Sequence, residues 1–298
     1  MKIAQFEDVL RSYIGIEHKG QWIDYSRAHA AWCQIVHATT VPPVTSLDEL
    51  LMSGSFDLER KKEVLSFVAA SGLSRFLRVP PHARFQAPVR RPGKIVALGL
   101  NYALHAKEGN YAVPKEPIIF AKASSSIIGP GETIMIPRGM GQMDHEVELA
   151  VIVGKRAERI TKRQAHKYIA GYTICNDVTA RELQTSDIGK KHPWFRSKSF
   201  DTFTPLGPWM VTADEFRQPV HINVECRVNG KLRQKANTRH FVFDIPTVME
   251  FISKNITLEP GDVISTGTPE GIGPIVGGDT VVCRVEGIGE LKNPVKYR

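Results

Sequence analysis

The stretch that most constrains this 298-residue chain runs from Asp144 to Gly154. Read as a β-strand, its alternation sends Val147, Leu149, Val151 and Val153 to one face and Glu146 and Glu148 to the other. The apolar face must lie against a core. On the opposite face, two carboxylates two residues apart can converge on one point. Like charges held that close repel unless something positive stands between them. The strand pattern alone leaves two outcomes open, a solvated acidic face or a site for a divalent cation.

Pro88 to Gly93 is the clearest punctuation, because two prolines and a glycine in six residues suit neither a helix nor a central strand. It divides a small N-terminal domain, residues 1–90, from a larger one, residues 91–298. In the first, Arg11 to Ile16 and Gln21 to Tyr25 flank a His18-Lys19-Gly20 turn and predict a hairpin. Apolar spacing at Leu58, Val64, Leu65, Phe67 and Val68 predicts a helix from Asp57 to about Ala70, closed by Gly72. In the second, apolar β-type segments recur at 118–121, 147–153, 169–175, 222–228, 262–266 and 279–286. Gly129-Pro130-Gly131, Gly207-Pro208, Pro260-Gly261 and Gly277-Gly278 separate them, and helices are predicted near 102–109, 161–167 and 244–254. Many strands and few helices indicate an α+β class with a rolled or barrel-like sheet.

Composition narrows the function classes. No apolar run approaches a membrane span, and Met1 to Asp8 lacks the features of a signal peptide, so a cytoplasmic protein is expected. Cys33, Cys175, Cys226 and Cys283 are widely spaced and predict reduced, buried thiols rather than a zinc or disulfide framework. The net charge of +8 comes from short, scattered clusters such as Arg60-Lys61-Lys62, Arg90-Arg91 and Lys190-Lys191. Without a nucleic-acid motif, that excess points to a small anionic substrate and not to DNA or RNA.

Three constellations carry chemistry. Asp177 ends the apolar segment Ala170 to Asp177, where its carboxylate is free to join Glu146 and Glu148. Three carboxylates without a thiolate suit a hard cation, Mg²⁺ or Mn²⁺. His145-Glu146 resembles part of a zinc helix, but position 149 is Leu and the segment is strand-like, which excludes that reading. His105 and Glu108, three residues apart, meet on a helical turn, either as a surface pair or as an acid/base pair on a mobile segment near Gly109 and Pro114. Lys198 lies among Phe195, Phe200 and Phe203, where an enclosed ammonium would stabilise an anionic oxygen. The Gly-rich turn Thr266 to Gly273 fits no dinucleotide fingerprint, and neither Walker A nor Gly-x-Ser-x-Gly is present.

In order along the chain, these segments resemble the fumarylacetoacetate hydrolase family over residues 94–298. The matching pieces are Gly99-Leu100-Asn101-Tyr102 with His105 and Glu108; Phe120-Ala121-Lys122; Asp144 to Glu148; Asn176 to Arg181; Lys198 to Asp201; and Gly261 to Pro269. The resemblance implies a mixed β-roll core, a homodimer, and Mg²⁺ or Mn²⁺ on Glu146, Glu148 and Asp177. It implies that His105 and Glu108 activate water on a lid, that Lys198 steadies a developing enolate or carboxylate, and that Arg181, Gln184 and Thr268 contact substrate oxygens. Glu182 departs from the Asp of many relatives and is expected beside the site. The implied reaction is hydrolysis of a C–C bond in an acylpyruvate-like 2,4-dioxo acid through an enolate held by the metal. An oxaloacetate-type decarboxylase or a 2-hydroxy-dienedioate isomerase would use the same site. A noncatalytic binding protein would be expected to lack one of these groups, and none is missing.

Overall fold

The computed structural model describes residues 1–9 and 11–298. The chain opens with β1 (Lys2–Glu7), β2 (Ser12–His18), β3 (Gln21–Asp24), α1 (Tyr25–His37), α2 (Leu47–Met52), α3 (Leu58–Ala70) and β4 (Arg84–Gln86). The hairpin is present: Lys19 and Gly20 both take positive φ, 51° and 79°, as a two-residue turn between twisted strands requires. Asp24, Ser46 and Asp57 cap the three helices by accepting from N–H groups of their first turns.

Then follow β5 (Ile95–Gly99), α4 (Ala103–Glu108), β6 (Ile118–Lys122), β7 (Ile127–Ile128), β8 (Ile134–Ile136), β9 (Met143–His145), β10 (Val147–Val153), β11 (Ile169–Asn176) and β12 (Thr179–Ala180). The last third holds α5 (Arg181–Gly189), α6 (Phe195–Lys198), β13 (Thr204–Thr212), β14 (Asn223–Val228), β15 (Lys231–Asn237), α7 (Ile245–Ser253), β16 (Val263–Ser265), β17 (Gly273–Pro274), β18 (Thr280–Val285) and β19 (Gly289–Tyr297). Two expectations are corrected. The segment expected as a helix at 161–167 is a 3₁₀ turn, Lys162–Tyr168. Gly207-Pro208 does not separate strands but lies inside β13. There the pairing with β11 skips between Gly207 and Val211, so the missing proline N–H falls where the ladder is already interrupted.

The largest sheet runs β3-β2-β1-β13-β11-β10-β16-β5-β6, with β4 beside β1 and β7 beside β13. A second sheet runs β15-β14-β18-β19-β8, and β12-β9-β17 form a third. Pairing is mostly antiparallel, with parallel contacts at β5–β16, β7–β13 and β8–β19. The result is an α+β fold with mixed sheets, none of which closes into a barrel. The large sheet is nevertheless curled. Four strand spacings, about 19 Å if flat, separate β6 from β11, yet Lys122 of β6 touches Asp177 at the end of β11 at 2.6 Å.

Every residue of β10 is buried. Val147, Leu149, Val151 and Val153 pack with the second sheet and α7, through Val224, Val281, Leu291 and Met249. On the opposite face Ala150 and Ile152 join a second core with Ile3, Ile14, Leu47 and Val64 from the first ninety residues. No helix among the described residues is long and apolar enough to cross a membrane. The four cysteines are free and buried.

Candidate active site

The expected alternation along Asp144–Gly154 is present, but the strand is not continuous. Glu146 occupies a one-residue break between β9 and β10. There its N–H donates to Asn176 Oδ1 (2.9 Å) and the Val147 N–H donates to Gln234 Oε1 (3.1 Å). Two side-chain carboxamides thus take over bonds that a strand partner would make, and the released backbone turns Glu146 toward its neighbours. Glu148 stays within β10, on the face of Ala150 and Ile152. That face is covered, which removes the solvated alternative. Asp177 follows β11, and its N–H donates to the Glu146 carbonyl at 2.8 Å. Carboxylate oxygens of Glu146, Glu148 and Asp177 lie within 4.8 Å of one another, all buried.

Three cations approach this cluster. Lys198 Nζ donates to Glu146 Oε2 (2.7 Å) and Asp177 Oδ2 (2.6 Å). Lys122 Nζ donates to Asp177 Oδ1 (2.6 Å) and to the carbonyls of Lys198 and Phe203. Arg181 donates to Asp144 Oδ2 (2.7 Å), to Glu146 Oε1 and to Gln184 Oε1. Burial opposes ionisation of Glu146, but Lys198 and Arg181 outweigh it and hold this carboxyl well below the usual range. For Lys198 burial likewise works against the charge, and Asp177 with Glu146 raises the amine above its ordinary value.

Glu148 differs. Its Oε2 accepts from Ser265 Oγ (2.5 Å) and from the Gly267 N–H (2.8 Å), both uncharged. Burial and the neighbouring Asp177 carboxylate push Glu148 up to about 8. With Asp144 counted and Glu148 ionised, as cation binding requires, four carboxylates face three cations among the described residues, which leaves the cluster one positive charge short. All-oxygen donors, close convergence and that deficit fit a hard divalent cation such as Mg²⁺ or Mn²⁺.

Asn101 anchors the second half of the site. Its Nδ2 donates to the carbonyls of Thr266 (2.8 Å) and Phe243 (3.2 Å), and its Oδ1 accepts from the Phe243 N–H (2.9 Å). The turn packs so closely that a Cβ on Gly267, whose φ is +92°, would come within 2.8 Å of Asn101 Cβ. Helix α4 starts from this anchor and presents His105 and Glu108 as a pair, Nδ1 to Oε2 at 3.2 Å. Glu108 Oε1 also accepts from the Gly271 N–H at 2.9 Å, so the carboxylate is held from both ends and the imidazole keeps Nε2 free.

One cavity of about 730 Å³ collects nearly all these groups. His105, Glu108, Glu146, Glu148, Arg181, Gln184, Lys198 and Thr268 line it. Asp177 stands behind, joined through Lys198. Leu98, Ile118, Phe120 and Trp194 form an apolar wall. The Trp194 ring lies so close to Gly99 that a Cβ there would approach it to 2.5 Å. Thr268 Oγ1 donates to the Val147 carbonyl (3.0 Å) and accepts from Gln234 Nε2 (2.8 Å). Glu182 accepts from the Gln142 N–H at 3.1 Å and is not among the lining residues. Sequence reasoning gave no role to Asp144, Ser265, Asn176 or Gln234, and it met Lys122 only as part of a motif. Their partners lie far along the chain, so no local spacing marks them.

Comparison with known proteins shows what the chain is similar to. Residues 94–296 match the family description "Fumarylacetoacetate (FAA) hydrolase C-terminal". The chain is 44% identical over 247 residues to the mitochondrial oxaloacetate tautomerase FAHD2B of Bos taurus, covering 80% of this chain and 78% of that protein. A fumarylacetoacetate hydrolase structure from Exiguobacterium antarcticum superimposes with a TM-score of 0.80 at 36% identity, over all of both chains. The maleylpyruvate hydrolase of Sphingobium sp. SYK-6, solved with manganese(II) and pyruvate, gives 0.75 at 29% identity, covering 100% of this chain and 99% of that one.

Proposed function

The chain belongs to the fumarylacetoacetate hydrolase family and is an enzyme, and on that premise we propose that it enolises a small anionic 2-oxo acid with the help of Mg²⁺ or Mn²⁺. The observation that carries this is Glu148, a buried carboxyl group that makes no ion pair among the described residues, on the same cavity as the His105–Glu108 pair. In this reading Glu146, Glu148 and Asp177 hold the cation. When bound, it supplies Lewis acidity to the keto and carboxylate oxygens of the substrate. His105, oriented through Nδ1 by Glu108, moves a proton at Nε2 to or from the carbon beside the keto group. Lys198 offsets the negative charge that develops there. Arg181 and Gln184 bind substrate oxygens, Thr268 lines the cavity with its hydroxyl proton held by the Val147 carbonyl, and Phe120 with Trp194 gives the cavity an apolar wall.

Two reactions share that step. Keto–enol tautomerisation of oxaloacetate is placed first, because a relative 44% identical is named for it. Hydrolysis of an acylpyruvate C–C bond, the reaction expected from sequence, is placed second. The His105–Glu108 pair can activate water, and a structural neighbour is a maleylpyruvate hydrolase. We also propose that the protein works as a homodimer, which light scattering tests. The deciding experiment follows oxaloacetate tautomerisation by its ultraviolet absorbance and acylpyruvate cleavage in parallel, with Mg²⁺, with Mn²⁺ and after chelation. Tautomerisation that depends on the ion supports the first reading, and cleavage alone supports the second. Full turnover of either substrate in chelator would overturn the metal role.

A further inference from the structure

Gln234 lies on β15, distant in sequence from the acidic cluster, and is 1% exposed. Its carboxamide makes four contacts. The Val147 N–H can only donate and the Pro269 carbonyl can only accept, and these two partners fix which end is oxygen. Oε1 accepts from the Val147 N–H (3.1 Å) and from His145 Nδ1 (3.0 Å). Nε2 donates to the Pro269 carbonyl and to Thr268 Oγ1, both at 2.8 Å. Thr268 Oγ1 closes the loop by donating to the Val147 carbonyl at 3.0 Å.

Two of these partners, His145 and Val147, flank Glu146 in the break between β9 and β10. The other two belong to the turn that faces the cavity. We propose that Gln234 is a positioning residue that sets the metal-binding cluster against the substrate-facing turn. Its oxygen end directs Glu146 out of the strand, and its nitrogen end holds Thr268 against Val147. The inference rests on the reading of Glu146, Glu148 and Asp177 as the cation site. Loss of the carboxamide leaves a buried N–H, a buried carbonyl and the His145 Nδ1 proton without partners, so the break relaxes and Glu146 shifts.

A brace of ordinary structural kind exists elsewhere for comparison. Gln5, also 1% exposed, donates to the carbonyls of Thr45 (2.9 Å) and Tyr13 (3.3 Å) and accepts from the Leu47 N–H (3.0 Å). Mn²⁺ binding to the chelator-treated full chain, read by electron paramagnetic resonance, separates the two roles. Gln234→Met should weaken Mn²⁺ binding about tenfold or more, the usual effect of freeing a ligand's orienting partner. Gln5→Met should lower the unfolding midpoint and leave Mn²⁺ affinity unchanged. Wild-type affinity in Gln234→Met, or equal loss in both variants, overturns the inference. If Gln234→Met does not fold, Thr268→Val cuts the same brace at its other end. Wild-type affinity there also overturns it. Absence of Mn²⁺ binding by the unaltered protein would instead overturn the cation site itself, and this inference with it.

Discussion

Lys198 Nζ stands between Glu146 Oε2 and Asp177 Oδ2, at 2.7 and 2.6 Å, with all three groups buried. A buried pair that loses one partner leaves an uncompensated charge, which costs far more than an exposed pair contributes. Lys198→Met should therefore destabilise the metal-free protein by about 3 kcal/mol. Added Mn²⁺ should restore more stability to this variant than to the unaltered chain, since it replaces a missing positive charge. Thermal unfolding in chelator and in Mn²⁺ reads both effects. An unchanged midpoint in chelator would show that the lysine is not what balances these carboxylates.

Glu108 is partly exposed and touches no member of the acidic cluster; its two oxygens serve His105 and the Gly271 N–H. Glu108→Gln keeps the shape but removes the carboxylate charge that faces the His105 ring. Turnover should fall by about 10²- to 10⁴-fold, while Mn²⁺ affinity and the unfolding midpoint stay near those of the unaltered protein. A loss of metal binding in this variant would contradict the division of labour between the pair and the cluster.

On α3, Lys61 carries an amine that contacts no carboxylate among the described residues. Lys61 is fully buried, donates to the Asp57 carbonyl at 3.1 Å and lies 4.3 Å from the centre of the Phe56 ring. Burial pushes its amine from 10.5 down to about 8. The folded state thus releases the proton at lower pH than the unfolded chain. The penalty is fully present below about 8 and is relieved as pH rises toward 10.5. Lys61→Met should stabilise the protein by about 1–3 kcal/mol at pH 7, with the advantage shrinking near pH 10. Urea unfolding at both pH values checks the sign; an advantage that grows with pH would refute it.

Much of the site was legible because its residues keep local patterns. Glu146 and Glu148 stand two residues apart at the head of β10, His105 and Glu108 share a helical turn, and Asp177 follows an apolar run. The helix from Asp57 and the hairpin at Lys19-Gly20 likewise follow from caps and turn residues close in sequence. What escaped depends on distant partners. Period-two alternation reads Asp144–Gly154 as one strand, whereas the break at Glu146 exists because Asn176 and Gln234 arrive from other strands. Pro208 reads as a stop, yet it is accommodated where β11 and β13 slip register. β15, Lys231–Asn237, carries little apolar patterning because it is an edge strand with one exposed face, and so it gave no signal.

Titration of chelator-treated protein with Mn²⁺ tests the central claim most directly, with the unaltered chain compared with Glu148→Gln. A single saturable site per chain is expected, together with its loss in the variant, because Glu148 is the one carboxylate of the cluster that makes no ion pair among the described residues. No saturable binding by the unaltered chain, or equal binding by both proteins, would contradict the assignment of this cluster as the cation site.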